Sequence, residues 1–72
     1  MRGFLIIDTE DIRVKFQVTH TQINNLIPII KKINKNIFDY HQYEGYELFN
    51  EIMIKLCIDE YDITSINIAY HK

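Results

Sequence analysis

The sequence predicts a small α+β fold of order ββααβ: a three-stranded, mostly antiparallel sheet with two helices packed on one face. Three observations carry this. Ile12 to Thr19 alternates apolar and polar side chains, the period of a half-wet strand. Residues 19–37 and 44–61 instead repeat apolar side chains at helical spacing. From Ile63 to Lys72 the alternation returns.

The first strand is Phe4-Leu5-Ile6-Ile7, a continuous apolar run between Gly3 and the acidic turn Asp8-Thr9-Glu10-Asp11. Such a run suits a strand covered on both faces. In the second strand Ile12, Val14, Phe16 and Val18 point one way, and Arg13, Lys15, Gln17 and Thr19 the other. A turn of three or four residues joins the two as a hairpin.

Ile23, Leu26, Ile27, Ile30, Ile33 and Ile37 share one face of the first helix. Thr19 and Gln22 have the spacing of a capping box. Pro28 leaves two solutions open, because a helix interior loses a hydrogen bond at proline. The helix starts near Asn24 or Asn25, with Pro28 in its first turn, or it starts at Thr19 and kinks. Pro28 projects away from the apolar face in both cases. Lys31, Lys32 and Lys35 near the end complement the helix dipole.

Residues 36–43, NIFDYHQY, have no clear period and form a connector. The second helix, Glu44 to Tyr61, is the longest helical pattern. It turns Tyr46, Phe49, Ile52, Met53, Leu56 and Cys57 to the core, and Glu51 with Lys55 forms a favourable i,i+4 pair. Two features break its pattern. Ile54 and Ile58 lie on the face that should be wet. Asp59 and Glu60 put negative charge near the negative end of the dipole, so a basic group compensates or the helix ends earlier. In the last strand Ile66, Ile68 and Tyr70 alternate with Ser65, Asn67, Ala69 and His71.

The first strand is the most apolar, which places it in the middle and gives the spatial order 2-1-3. With helices on one face, Arg13, Lys15, Gln17, Asn67 and His71 line the other. The central strand must then expose either Phe4 and Ile6 or Leu5 and Ile7 there. An apolar strip rimmed by basic side chains results, and a partner or a second copy of the chain is expected to cover it.

Length and composition bound the function. Seventy-two residues make one domain, residues 1–72, with a small core. Cys57 is the only cysteine, so no disulfide within the chain and no multi-cysteine metal site forms. A charge of −2 argues against a dedicated nucleic-acid binder. No leader-peptide pattern and no membrane-length apolar run is present, so a cytoplasmic protein without membrane contact is expected.

Catalytic and metal-binding patterns are missing. The histidines, His20, His41 and His71, fall on separate elements, and Gly3 and Gly45 cannot make a phosphate loop. Cys57 reads as a buried, inert thiol. Carboxylates gather at Asp8/Glu10/Asp11 and Asp59/Glu60/Asp62, at element ends and without calcium-loop spacing. No enzyme activity, cofactor or metal is expected. The connector concentrates Tyr40, His41 and Tyr43 between Asp39 and Glu44, residue types that anchor protein interfaces.

The expected function is therefore a non-catalytic protein-binding module using Phe4, Ile6, Arg13, Lys15, Tyr40, His41, Tyr43, Ile54 and Ile58. Heavy use of isoleucine, asparagine and lysine matches the coding bias of an AT-rich genome. That bias points to an inhibitor or adaptor from a phage or mobile element, acting on a host protein of defence or replication. The alternatives are a nucleic-acid-binding module using the basic sheet face and Lys31, Lys32 and Lys35, and a structural homodimer.

Overall fold

The computed structural model describes residues 2–71. β1 (Arg2–Asp8), β2 (Arg13–Thr19), α1 (His20–Asn34), α2 (Tyr46–Leu56) and β3 (Ser65–His71) follow in the expected order. One 3-10 turn, Glu60–Asp62, precedes β3. The sheet is antiparallel throughout, in the order β2-β1-β3. Lys72, the expected last residue of β3, and the His71 side chain lie outside the described residues.

Register decides which side chains meet the helices. Leu5 pairs with Phe16 and Ile68, and Ile7 with Val14 and Ile66. Side chains on opposed residues share a face, so these six make the inner surface. Leu5, Ile7, Val18 and Ile66 join Ile23, Leu26, Ile29, Ile30 and Ile33 of α1 and Phe49, Ile52 and Met53 of α2 in one core. The intervening residues, Phe4 and Ile6 among them, form the outer face.

The hairpin turn is Thr9 to Ile12. The Thr9 N–H donates to the Ile12 carbonyl at 2.9 Å, and Thr9 Oγ1 accepts from the N–H groups of Asp11 and Ile12. This corrects the expected strand start. Ile12 belongs to the turn and is 53% exposed, because the turn's own hydrogen bonds hold it.

At α1 the capping box forms. Thr19 Oγ1 accepts from the Gln22 N–H at 3.2 Å, and Gln22 Oε1 accepts from the Thr19 N–H at 2.9 Å. The helix therefore takes the earlier start, with Pro28 inside it and exposed. Its buried stripe includes Ile29 and leaves Ile27 half-buried, a rotation that suits a helix meeting both the sheet and α2. Ile37, expected on that stripe, is 40% exposed. The reason is local. Asn36 has φ 62°, its N–H bonds the Ile33 carbonyl at 2.8 Å, and the Ile37 N–H bonds the Lys32 carbonyl at 2.9 Å. This is a Schellman ending, and it swings the chain off the helix axis before Ile37.

A second such ending stops α2 at Leu56, short of the expected Tyr61. Cys57 has φ 55° and bonds the Ile54 carbonyl, and the Ile58 N–H bonds the Met53 carbonyl at 3.0 Å. Cys57 is exposed, which corrects the expectation of a buried thiol: the left-handed turn carries it off the core stripe. The early ending also accounts for the acids. Asp59 Oδ1 accepts from the Tyr61 N–H at 3.0 Å, so Asp59 opens the next helical turn, where negative charge is favourable.

Two long-range contacts lock the layers. A Cβ on Gly45 would press into the Asn25 carbonyl group of α1, 2.8 Å from its carbon, so only glycine lets the N-terminus of α2 approach so closely. At the free edge of β3, Asn34 Nδ2 donates to the Ile66 carbonyl at 2.8 Å, and Asn34 Oδ1 accepts from the Ile66 N–H at 3.1 Å. The amide stands in for a neighbouring strand and blunts the edge.

Gly45→Ala is expected to lower unfolding stability in urea by about 2 kcal/mol, since helix backbone cannot yield as a side chain can. Cys57→Gly is expected to raise it by about 1 kcal/mol by relieving the left-handed backbone. Asn34→Ala should cost about 1–3 kcal/mol and speed hydrogen exchange at the Ile66 amide; unchanged exchange there would contradict the edge role.

Candidate protein-interaction surfaces

The outer sheet face is built row by row from the register. Phe4 lies between Gln17 and Ala69, Ile6 between Lys15 and Asn67, and Asp8 between Arg13 and Ser65. Phe4 and Ile6 are half-buried, and Lys15 is exposed. The apolar strip expected from sequence is thus present, with Phe4 and Ile6 as its members. Lys15 has no acidic partner among the described residues.

Arg13 behaves differently. Its Nε donates to Asp8 Oδ1 at 2.6 Å and its Nη2 to Asp8 Oδ2 at 3.2 Å, and Ser65 Oγ donates to Asp8 Oδ2 at 2.9 Å. One carboxylate so ties all three strands at one end of the face. The hydrogen bond from Arg13, then that from Ser65, holds the Asp8 carboxyl below its usual range, and Arg13 is raised in return. Arg13 marks the rim of the face, with its charge already paired.

The connector splits the aromatic set. Tyr40 is 0% exposed, packed edge-on to Phe49 at 5.6 Å and tilted against Phe38 and Tyr46. Its hydroxyl donates to the Glu60 carboxylate. Burial, and then that bond, pushes the phenol well above its ordinary value. Tyr40 is accordingly a core anchor between connector and 3-10 turn, with no surface to offer a partner. His41 stacks on its ring at 5.5 Å and stays exposed. Tyr43 is half-buried.

Ile54 is 68% exposed. Ile58 lies beyond the end of α2, one residue past the left-handed turn, and is half-buried. The two are therefore not neighbours on one helical face, yet they line the same shallow groove with Tyr46, Asn50 and Met53. Parts of the two acidic clusters also share a cleft, whereas Asp8 is tied to Arg13 and Glu60 to Tyr40. Glu10 and Asp11 of the hairpin turn face Asp59 and Asp62 across a cleft with Ile12, Tyr61 and Ile63. Among the described residues, no three His, Cys, Asp or Glu side chains are placed to hold a metal ion, and no helix is long and apolar enough to cross a membrane.

Sequence reasoning missed one assembly, at the end of α1. Lys32 Nζ bonds Asp39 Oδ1 at 2.9 Å and sits 5.7 Å from the centre of the Tyr43 ring. The bond to Asp39 raises Lys32 and lowers Asp39. Pro28 and Ile37 complete the surround. Only Pro28 gave a signal, as an apolar residue projecting off the expected stripe; Ile37 was expected on that stripe, and the turn at Asn36 takes it off.

These features define a class: a small α+β domain with one antiparallel sheet and two helices. No family model, no curated protein and no solved structure matches the chain.

The Asp8 tie has a pH signature. A carboxyl held below its unfolded value stabilises the fold fully above that value, 3.8, and the contribution fades as pH falls through the lower folded value. Asp8→Asn should therefore lower stability at pH 7 and flatten its loss toward pH 3. Parallel acid titrations of the two proteins by circular dichroism check this.

Proposed function

We propose that this chain is a small non-catalytic protein-binding module that docks its partner on the outer face of the sheet. The observation that carries the reading is the position of Phe4 and Ile6. They occupy the centre of a face that no helix covers, flanked by Lys15, Gln17, Asn67 and Ala69. A half-buried apolar centre with a polar margin is the anatomy of a protein interface. His41 and the groove bearing Ile54 and Ile58 offer further contact points. Tyr40 acts indirectly, by holding the connector.

A phage or mobile-element inhibitor or adaptor acting on a host protein in the cytoplasm is the setting that the composition favours. Nucleic acid is the weaker alternative, because pairing with Asp8 removes Arg13 as a free cation. A homodimer through the same face is the second.

The test is affinity capture from host lysate with the tagged chain and an Ile6→Asp/Lys15→Glu variant, each with and without nuclease. A discrete protein held by the parent chain after nuclease, and lost by the variant, is the expected result. Capture that vanishes with nuclease would shift the function to nucleic acid. Light scattering showing a dimer that the variant abolishes would assign the face to a second copy.

A further inference from the structure

The end of α1 holds a cleft of about 310 Å³ lined by Pro28, Lys31, Lys32, Lys35, Ile37 and Tyr43. Three separate pieces of local structure build it. The last turn of α1 and its cap supply the lysines. The left-handed turn at Asn36 delivers Ile37. The connector returns with Tyr43, held beneath Lys32.

The lysines do not all have work in the fold. Lys32 is committed to Asp39 and Tyr43. Lys31 and Lys35 are exposed and have no acidic partner among the described residues. Four residues apart, they repel one another. The dipole at the end of α1 favours positive charge there, but it has no bearing on the apolar floor beneath them. Pro28 and Ile37 are both exposed at that floor.

We propose that this cleft docks an acidic segment of a partner protein. The segment inserts one apolar side chain between Pro28, Ile37 and Tyr43 and sets carboxylates against Lys31 and Lys35. The proposal rests on the reading of the chain as a protein-binding module and adds a surface distinct from the sheet face. Charge complementarity selects the acidic occupant. The floor selects a peptide over a nucleic-acid strand: Lys32 already lies over the Tyr43 ring, and the other floor residues are aliphatic, so bases find no stacking platform. The cations are all lysines, without the bidentate arginine fork that suits phosphate.

The experiment titrates the full chain into a fluorescein-labelled glutamate peptide carrying one central leucine, read by anisotropy, with amide chemical-shift mapping to locate the site. Saturable binding with a Kd below about 1 mM is expected, with shifts at Lys31, Lys35, Ile37 and Tyr43. Lys31→Glu/Lys35→Glu and, separately, Ile37→Ser should each weaken it about ten-fold or more, while Ile6→Asp/Lys15→Glu leaves it unchanged. Lys15, Lys31, Lys35 and Ile37 are exposed and Ile6 is half-buried, and amide dispersion verifies that each variant is folded. Absence of saturable binding overturns the proposal, as does equal binding by the lysine variant. Equal affinity for a peptide with serine in place of leucine overturns the apolar insertion. Tighter binding of a DNA strand of the same charge reassigns the cleft to nucleic acid. Loss of peptide binding in the sheet variant alone overturns the cleft and leaves the sheet-face reading standing; failure of the sheet variant to lose its captured protein, with peptide binding intact, does the reverse.

Discussion

The register of β1 between its two neighbours governs the rest of this structure. A slip by one residue would exchange the two faces of β1, sending Phe4 and Ile6 into the helices and Leu5 and Ile7 to the surface. All four side chains are large and apolar, so hydrophobicity alone discriminates weakly between those registers. Specific contacts do. Asp8 aligns with Arg13 on one side and Ser65 on the other. Gly3, the one position on the inner row without a side chain, lies under Ile23, whose Cδ1 would sit 2.7 Å from an added Cβ. A polar tie at one end and a packing notch near the other make a single alignment favourable.

The helical layer depends on similarly few devices. Both helices end in a left-handed residue that is not glycine, Asn36 and Cys57. Asparagine tolerates that backbone because its short side chain bonds locally; cysteine has no such compensation. These turns do more than stop helices. One aims Ile37 outward beside the lysines, and the other sends the chain through Asp59 to the 3-10 turn that holds Tyr40. With so small a core, the Tyr40 ring stands in for another aliphatic layer, and Glu60 satisfies its hydroxyl.

Charge is distributed by the same geometry. Arg13 and Lys32 are paired, whereas Lys15, Lys31 and Lys35 are exposed without acidic partners among the described residues. Glu10, Asp11, Asp59 and Asp62 line a different cleft. A chain of net charge −2 thus carries separate acidic and basic surfaces, with an apolar sheet face between them in character. Net charge alone therefore does not describe the surface.

Element order, the antiparallel sheet, the central place of β1 and the Thr19–Gln22 capping box were all legible in the sequence. Each follows from periodicity or from partners within a few residues. The two candidate members of the exposed strip were legible as well, down to a choice between alternate residues that register then made. The burial of Tyr40, the exposure of Ile12, Ile37 and Cys57, the Asn34 amide on the edge of β3, and the meeting of Pro28, Ile37 and Tyr43 with the lysines were not. Each of these depends on where a turn aims the next residue or on a group brought in from a distant element. Hydrophobic pattern records which side chains avoid water on average. Only the closed packing of sheet, helices and connector decides which of them find cover.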